Sequence, residues 1–264
     1  MSKGFSRKQL AIPYIIFLVL FVLLPLLVIV WYGFSDNEGS ISFHNFIMFF
    51  KNRKAIGTLI YSIVIAFVTT VVCLLIAYPT AYILARSRVK SGGALLLLFV
   101  LPMWINFTLR ITALKEILDY FEGNLSMYSF FNTIIGMVYD FLPFMILPLY
   151  NTLSKLDKSY LEAAKDLGAG DVNVFRKVVL PLSVPGIVSG VTMVFLPAMT
   201  NYVVLDMMYN STYIMGSLIG SYFSAYDWHN GSVISVILLA IIGISTWASN
   251  KATVDVEDSS NTVK

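Results

Sequence analysis

Residues 141–200 read FLPFMILPLYNTLSKLDKSYLEAAKDLGAGDVNVFRKVVLPLSVPGIVSGVTMVFLPAMT. The stretch is apolar at both ends and polar in the middle. A helix needs about 20 apolar residues to cross the hydrocarbon of a bilayer, because each backbone amide must find its partner inside the segment. The flanking runs, Phe131–Leu153 and Leu182–Val204, are therefore expected to span a membrane, with the polar segment outside it. That segment has its own pattern. Ser159 followed by Glu162 fits a capping box, and Tyr160, Ala164 and Leu167 share one helical face. Gly168, Ala169 and Gly170 then offer the left-handed backbone that ends a helix. Asp171 is expected to cap a second helix with an apolar face of Phe175, Val178, Val179 and Leu182. Pro181 and Pro185 mark re-entry into the membrane. The expectation is helix, glycine turn, helix, lying at the membrane surface.

Working outward, four more runs have the length to span: Ile12–Phe34, Ile56–Ala85, Ala94–Ala113 and Ser232–Ser249. The fold class expected is an all-α membrane protein of about six transmembrane helices. Composition agrees, since 58% of the 264 residues are hydrophobic and only 12% charged, against about 25% charged in a soluble domain. A net charge of +3 is too small to indicate nucleic acid. Lys3, Arg7 and Lys8 before an apolar run resemble a secretory signal, but the run exceeds the usual 7 to 15 residues, about, so a retained first helix is expected. Cys73 is the only cysteine and lies within an apolar run, which excludes a disulfide framework and a cysteine zinc site. One membrane domain is expected over 1–249, with a loop at 154–181, followed by a disordered polar tail over 250–264.

Basic residues set the orientation, because loops rich in Lys and Arg stay in the cytoplasm. With the N-terminus inside, thirteen of the eighteen lysines and arginines fall on the cytoplasmic side, including Arg86, Arg88, Lys90 and the basic residues of the 154–181 loop. Tyr209–Gly231, on the other side, has none. Lys51, Arg53 and Lys54 form the discordant cluster. Both termini are expected in the cytoplasm of a bacterial cell.

The polar loop carries a resemblance. EAA, then Gly four residues on, then a β-branched residue and LP, stand here as Glu162, Ala163, Ala164, Gly168, Val178, Leu180 and Pro181. This is similar to the EAA loop of type I ABC importer permeases, whose members more often have Ile where Val178 stands. The resemblance implies a coupling helix that docks on a cytoplasmic ATPase. It further implies a second homologous permease subunit, two copies of a P-loop ATPase and an extracellular or periplasmic binding protein. LPMWINFTLRITALKEIL, YDFLPFMILPLYNTLSKLDKSYLEAAKDLGA and VVLPLSVPGIVSGVTMVFLPA resemble the PotB-type spermidine/putrescine permeases, over roughly residues 10–245. After Ala198 the chain departs from the family's glycine-rich pattern and reads MTNYVVLDMMYNSTYIMGSL, which loosens the substrate more than the architecture. A polyamine is the expected substrate, with iron, thiosulfate or molybdate as alternatives.

Two ionisable groups lie in or near the apolar spans, Arg110 and Asp140. An embedded charge costs about 2.5–3.5 kcal/mol on insertion scales, so each should face the bundle interior. They either pair with each other or serve a substrate path together with the aromatic faces of Trp104, Tyr139 and Tyr202, which could equally be interface anchors. The outer segments carry Asp36, Glu38, Glu116, Asp119, Glu122, Asp206 and Asp227, a mouth that would concentrate cations. There is no G-x-x-x-x-G-K-[ST] phosphate loop, so ATP would be bound by a partner and no cofactor is expected. His44 and His229 fall far apart in outer loops, so no metal site is expected. A stand-alone carrier would show inverted repeats, and a membrane enzyme would cluster His, Asp or Glu at a helix end. The chain has neither pattern.

Overall fold

The computed structural model describes residues 7–36, 38–86 and 92–261, and they are predominantly helical. Among the described residues four continuous helices are long and apolar enough to cross a membrane: α1 (Ala11–Phe34), α3 (Arg53–Arg86), α6 (Ser129–Lys155, in the run Leu125–Lys155) and α12 (Trp228–Asn261). Their spanning parts match four of the six expected runs. The other two are bent. Gly92–Trp104 (α4) meets Phe107–Glu122 (α5) at 98°, and Asp171–Leu182 (α8) meets Val184–Ala198 (α9) at 61°. If each pair is one span, the count is six. The described residues also form shorter helices: α2 (His44–Lys51), α7 (Lys158–Asp166), α10 (Tyr202–Met207) and α11 (Met215–Ser224).

The two bends correct the expectation of straight helices over 94–113 and 182–204, and both have local causes. At the first, the backbone of Ile105 turns extended and the Asn106 side chain accepts from the amides of Thr108 and Leu109, at 2.9 and 3.3 Å. An N-cap inside an apolar run satisfies the orphaned donors that would otherwise prohibit a new helix start there. At the second, Ser183 interrupts the helix, its hydroxyl bonded to the Leu180 carbonyl, and Pro185 opens α9. A further break, Met199–Asn201, separates α9 from α10. At the C-terminal end the backbone stays helical to Asn261, where a disordered tail from 250 was expected. Extending an existing helix needs no new nucleus, so polar composition alone does not stop it.

The chain divides into two compact units. The first comprises residues 1–57 and 217–241. In it α1 is largely exposed, only Gly33 being buried, with Phe21 and Leu27 among many uncovered apolar side chains, as suits a helix facing lipid or another subunit. Phe34 packs on Phe43 and Phe46, and the His229 ring nitrogen meets the Tyr32 carbonyl at 3.0 Å.

The second unit comprises residues 58–216 and 242–264. Its core is α6, whose Met137, Met145, Ile146, Leu149 and Leu153 are fully buried. α9 lies against α6 through small residues. A Cβ on Gly190 would come within 2.6 Å of the Met145 sulfur, and one on Gly186 within 2.7 Å of the Thr152 hydroxyl. Close approach of this kind is how helices associate where no water drives them together. Cys73 is buried, its sulfur 3.9 Å from the Val138 carbonyl, the environment of a small hydrophobe.

Candidate functional site

The loop between α6 and α9 has the expected form with a different cap. Asp157, not Ser159, is the N-cap of α7, accepting from the Ser159 amide at 3.0 Å, and that bond holds its carboxyl below the ordinary carboxylate range. Aspartate's short side chain reaches the amide two residues on, so the capping-box pattern misassigned the start by two positions. Glu162 is thereby released from capping. It and Ala163 stand exposed, and Ala164 is half-buried.

α7 ends in a Schellman turn. Gly168 donates to the Lys165 carbonyl at 2.8 Å and Ala169 to the Ala164 carbonyl at 3.0 Å, with Gly168 at φ +82°. A Cβ at Gly168 would touch nothing within 4 Å, so glycine is required here by backbone conformation, not space. Lys165 reaches across the turn to Asp171 at 2.8 Å, an exposed ion pair that raises the lysine's pKa and lowers the aspartate's. Asp171 is the first residue of α8, whose N-cap is Gly170, so its expected capping role belongs to its neighbour.

Apolar side chains on this loop point two ways. Val174 and Val179 are buried, and the Phe175 ring stands edge-on to Tyr78 and Tyr82 of α3, at 5.7 and 5.8 Å. Tyr78 also shares a hydrogen bond of 2.8 Å with Ser183. A π-helical turn over Phe175–Val179 rotates the pattern, which is why Val174 turns inward and Val178 is only partly covered. Tyr160, Leu167 and Val172 remain outside, Leu167 at 89% exposure. Leu180 and Pro181 are exposed at the end of α8. The loop is thus gripped by α3 on one side and presents uncovered apolar groups around Glu162 on the other.

Within the spans, the structure brings Arg110 and Asp140 together at 2.5 Å, both almost fully buried. Arg110 lies one turn after the Asn106 cap, and Asp140 is midway along α6. The guanidinium carbon is also 5.6 Å from the centre of the Tyr139 ring. Trp104 and Tyr202 are 83% and 42% exposed and share no hydrogen bond or ring contact with this pair among the described residues. Breaking such a buried pair by removing one partner costs about 3–5 kcal/mol, because the other charge is left alone.

Sequence reasoning missed two asparagines. Asn201, at the break between α9 and α10, directs its amide to the second Asp140 oxygen at 3.4 Å. Asn210 is buried, donating to the Tyr61 hydroxyl at 2.9 Å and the Thr133 hydroxyl at 3.0 Å, and fastens the irregular segment after α10 to α3 and α6. Both fall in the stretch where the chain departs from the glycine-rich pattern, which was the available signal. Lys115 lays its ammonium 4.4 Å from the Tyr209 ring centre.

Known proteins place this arrangement in a family. The family model described as "Binding-protein-dependent transport system inner membrane component" matches residues 50–250. The spermidine/putrescine transport system permease protein PotB of Escherichia coli K12 is 35% identical over 250 residues, covering 86% of this chain and 90% of that one. Its Haemophilus influenzae counterpart is 36% identical over 275 residues, covering 95% and 96%. Among solved structures, a chain of a bacterial alginate ABC transporter superposes with a TM-score of 0.72 at 13% identity over 92% of each chain. One from the MetNI methionine ABC transporter gives 0.59 at 17% identity, covering 78% of this chain and 99% of that one. At those identities the likeness is one of fold. The helix–turn–helix loop with its EAA motif, the apolar spans and the extent of the match lead to one assignment: this chain belongs to the inner membrane components of binding-protein-dependent transport systems, the multi-pass permease subunits of ABC importers.

Proposed function

We propose that this permease carries a polyamine, spermidine or putrescine, across the bacterial cytoplasmic membrane, after an extracytoplasmic binding protein delivers it and with ATP hydrolysed by a separate subunit. The likeness over nearly the whole chain to permeases named for spermidine and putrescine supports the substrate. Chemistry supports it too. Glu116, Asp119 and Asp206 are exposed carboxylates that raise the local concentration of a polycation. Asp140 is an embedded acceptor for ammonium groups, and Trp104, Tyr139 and Tyr202 are candidate aromatic surfaces along the path.

The coupling surface is the observation that carries the ATP-driven part of this reading. Glu162, Ala163, Ala164 and Gly168 shape a turn that exposes Tyr160, Leu167 and Val172, and Leu180 and Pro181 lead from it into the bent fifth span. A partner ATPase pressing on that surface moves a rigid element that α3 grips through Tyr78, Tyr82 and Phe175. The working assembly comprises a second homologous permease and two ATPase copies, with both termini of this chain in the cytoplasm.

Uptake of labelled spermidine and putrescine by vesicles holding the complete complex tests the substrate. ATP-dependent accumulation is expected, and its failure for every polyamine overturns the assignment. Reporter fusions test the topology. A fusion after Lys264 should remain cytoplasmic and one within Tyr209–Gly231 should be exported, and the reverse result shows that the spans are miscounted.

A further inference from the structure

An arginine–carboxylate pair is frequently a fork of two parallel bonds, and when it is buried the remaining donors are usually satisfied too. Arg110 and Asp140 are not joined that way. Only Nη2 reaches the carboxylate, through Oδ1, while Nε and Nη1 are buried with no hydrogen-bond partner among the described residues. The other oxygen, Oδ2, has a single long contact of 3.4 Å from Asn201. Asp140 is therefore incompletely bound by donors that each use one nitrogen. Arg110 has a second resting place beside it, since its guanidinium carbon is already 5.6 Å from the Tyr139 ring centre, and that ring is 38% exposed.

The location of the three groups adds to this. Arg110 stands in the first turn after the 98° bend, and Asn201 stands at the break that ends α9. Both interrupted spans thus touch one carboxylate on the uninterrupted α6. Releasing Asp140 from its two donors removes the polar contacts by which Arg110 and Asn201 hold these two breaks to α6.

We infer that Arg110 is a tethered counter-cation for Asp140, and that an ammonium group of the substrate takes its place on the carboxylate during transport while the guanidinium shifts onto the Tyr139 ring. The inference rests on the polyamine reading above. A protonated polyamine presents only donors, and so does arginine, so the two never bond to each other, and repulsion between like charges sets them against sharing one buried carboxylate. Exchange keeps one cation on Asp140 before and after the step, and the buried carboxylate is never left bare. It also filters the cargo, because a neutral or anionic solute has nothing with which to displace the guanidinium. Arg110 is on this view a specificity-determining residue, and Asp140 the group that meets the cation.

The test uses the assembled membrane complex of both permeases and the ATPase, with labelled spermidine as the probe. Binding is measured by equilibrium dialysis, and uptake is measured in vesicles once the binding protein is added. If the Arg110-free site is populated about a tenth of the time, Arg110→Gln tightens spermidine binding about tenfold by removing the competitor, yet slows uptake because the cation is no longer driven off. Arg110→Lys, which keeps a tethered cation, should return both values toward wild type. Asp140→Asn and the double variant should bind and transport poorly. Copurification with the ATPase and unchanged membrane levels show that each variant has folded. Unaltered spermidine affinity in a folded Arg110→Gln complex, or recovery of uptake in the double variant, overturns the exchange and leaves a simple neutralising pair. Absence of polyamine uptake by the wild-type complex overturns the substrate reading itself, which separates the two failures.

Discussion

The loop over Asp157–Leu182 and the cluster around Asp140 are both incomplete, in opposite ways. The loop shows water the apolar side chains of Tyr160, Leu167 and Val172. The cluster hides from water two donors of Arg110 that have no acceptor among the described residues. Exposed apolar area on a rigid, well-capped element is the mark of a surface that a protein partner covers. Buried donors without acceptors are rare in folded chains and call for an explanation, which the exchange proposed above supplies. On the proposed reading one region transmits force and the other handles the cargo, and their chemistry differs accordingly. The loop's geometry is held by backbone hydrogen bonds and a glycine. The cluster is held by a few side-chain contacts that can be exchanged.

Substitutions in the loop should have the largest effects and should spare the bundle. Gly168→Asp forces an aspartate into φ +82° and adds a charge beside Leu167. Glu162→Ala removes the exposed carboxylate at the centre of the surface. Uptake should be abolished in both while the protein stays in the membrane, as vesicle transport and membrane fractionation will report. If both variants copurify with the ATPase and transport normally, the coupling role of this loop is wrong. Packing of α6 on α9 comes next. Gly190→Leu pushes a branched side chain into Met145 and Pro148 and should destabilise the bundle by about 1–3 kcal/mol. A lowered thermal midpoint in detergent, accompanied by an unchanged loop, would keep the two regions separable.

Smaller effects are expected at the caps and the surface ion pair. Asn106→Ala removes the cap that starts α5 at the bend and should cost about 1 kcal/mol. Because Arg110 lies in the same first turn and competes with the cation for Asp140, a gain in spermidine affinity accompanying that loss of stability would show that the bend positions Arg110. The smallest change belongs to the Lys165–Asp171 pair, exposed on both sides. Asp171's pKa is lowered, so its contribution is present above its unfolded value and fades as pH falls through the lowered one. Lys165's is raised, so its share is present below its unfolded value and fades as pH rises through the raised one. Between those limits the contribution is flat, and Lys165→Ala should leave uptake near neutral pH within about twofold of wild type. A larger loss would mean that this pair belongs to the docking surface.

By itself the sequence determined the elements whose partners lie within a few residues. A run of about 20 apolar residues declares a span wherever it occurs, and four helices follow the expected runs closely. The turn at Gly168 was legible because its hydrogen bonds join residues three to five apart. Local reading faltered where two nearby groups compete for one role: Asp157 took the cap expected of Ser159, and Asn106 began a new helix inside an apolar run. Only the tertiary structure decided what Asp140 touches. Its partners, Arg110 and Asn201, are 30 and 61 residues away along the chain. No periodicity carries information over that distance, so the sequence could name two costly charges but not join them. The joining follows from how α6, the bend at Asn106 and the break at Asn201 pack. In an apolar medium each buried polar group must take whatever partner that packing brings within reach.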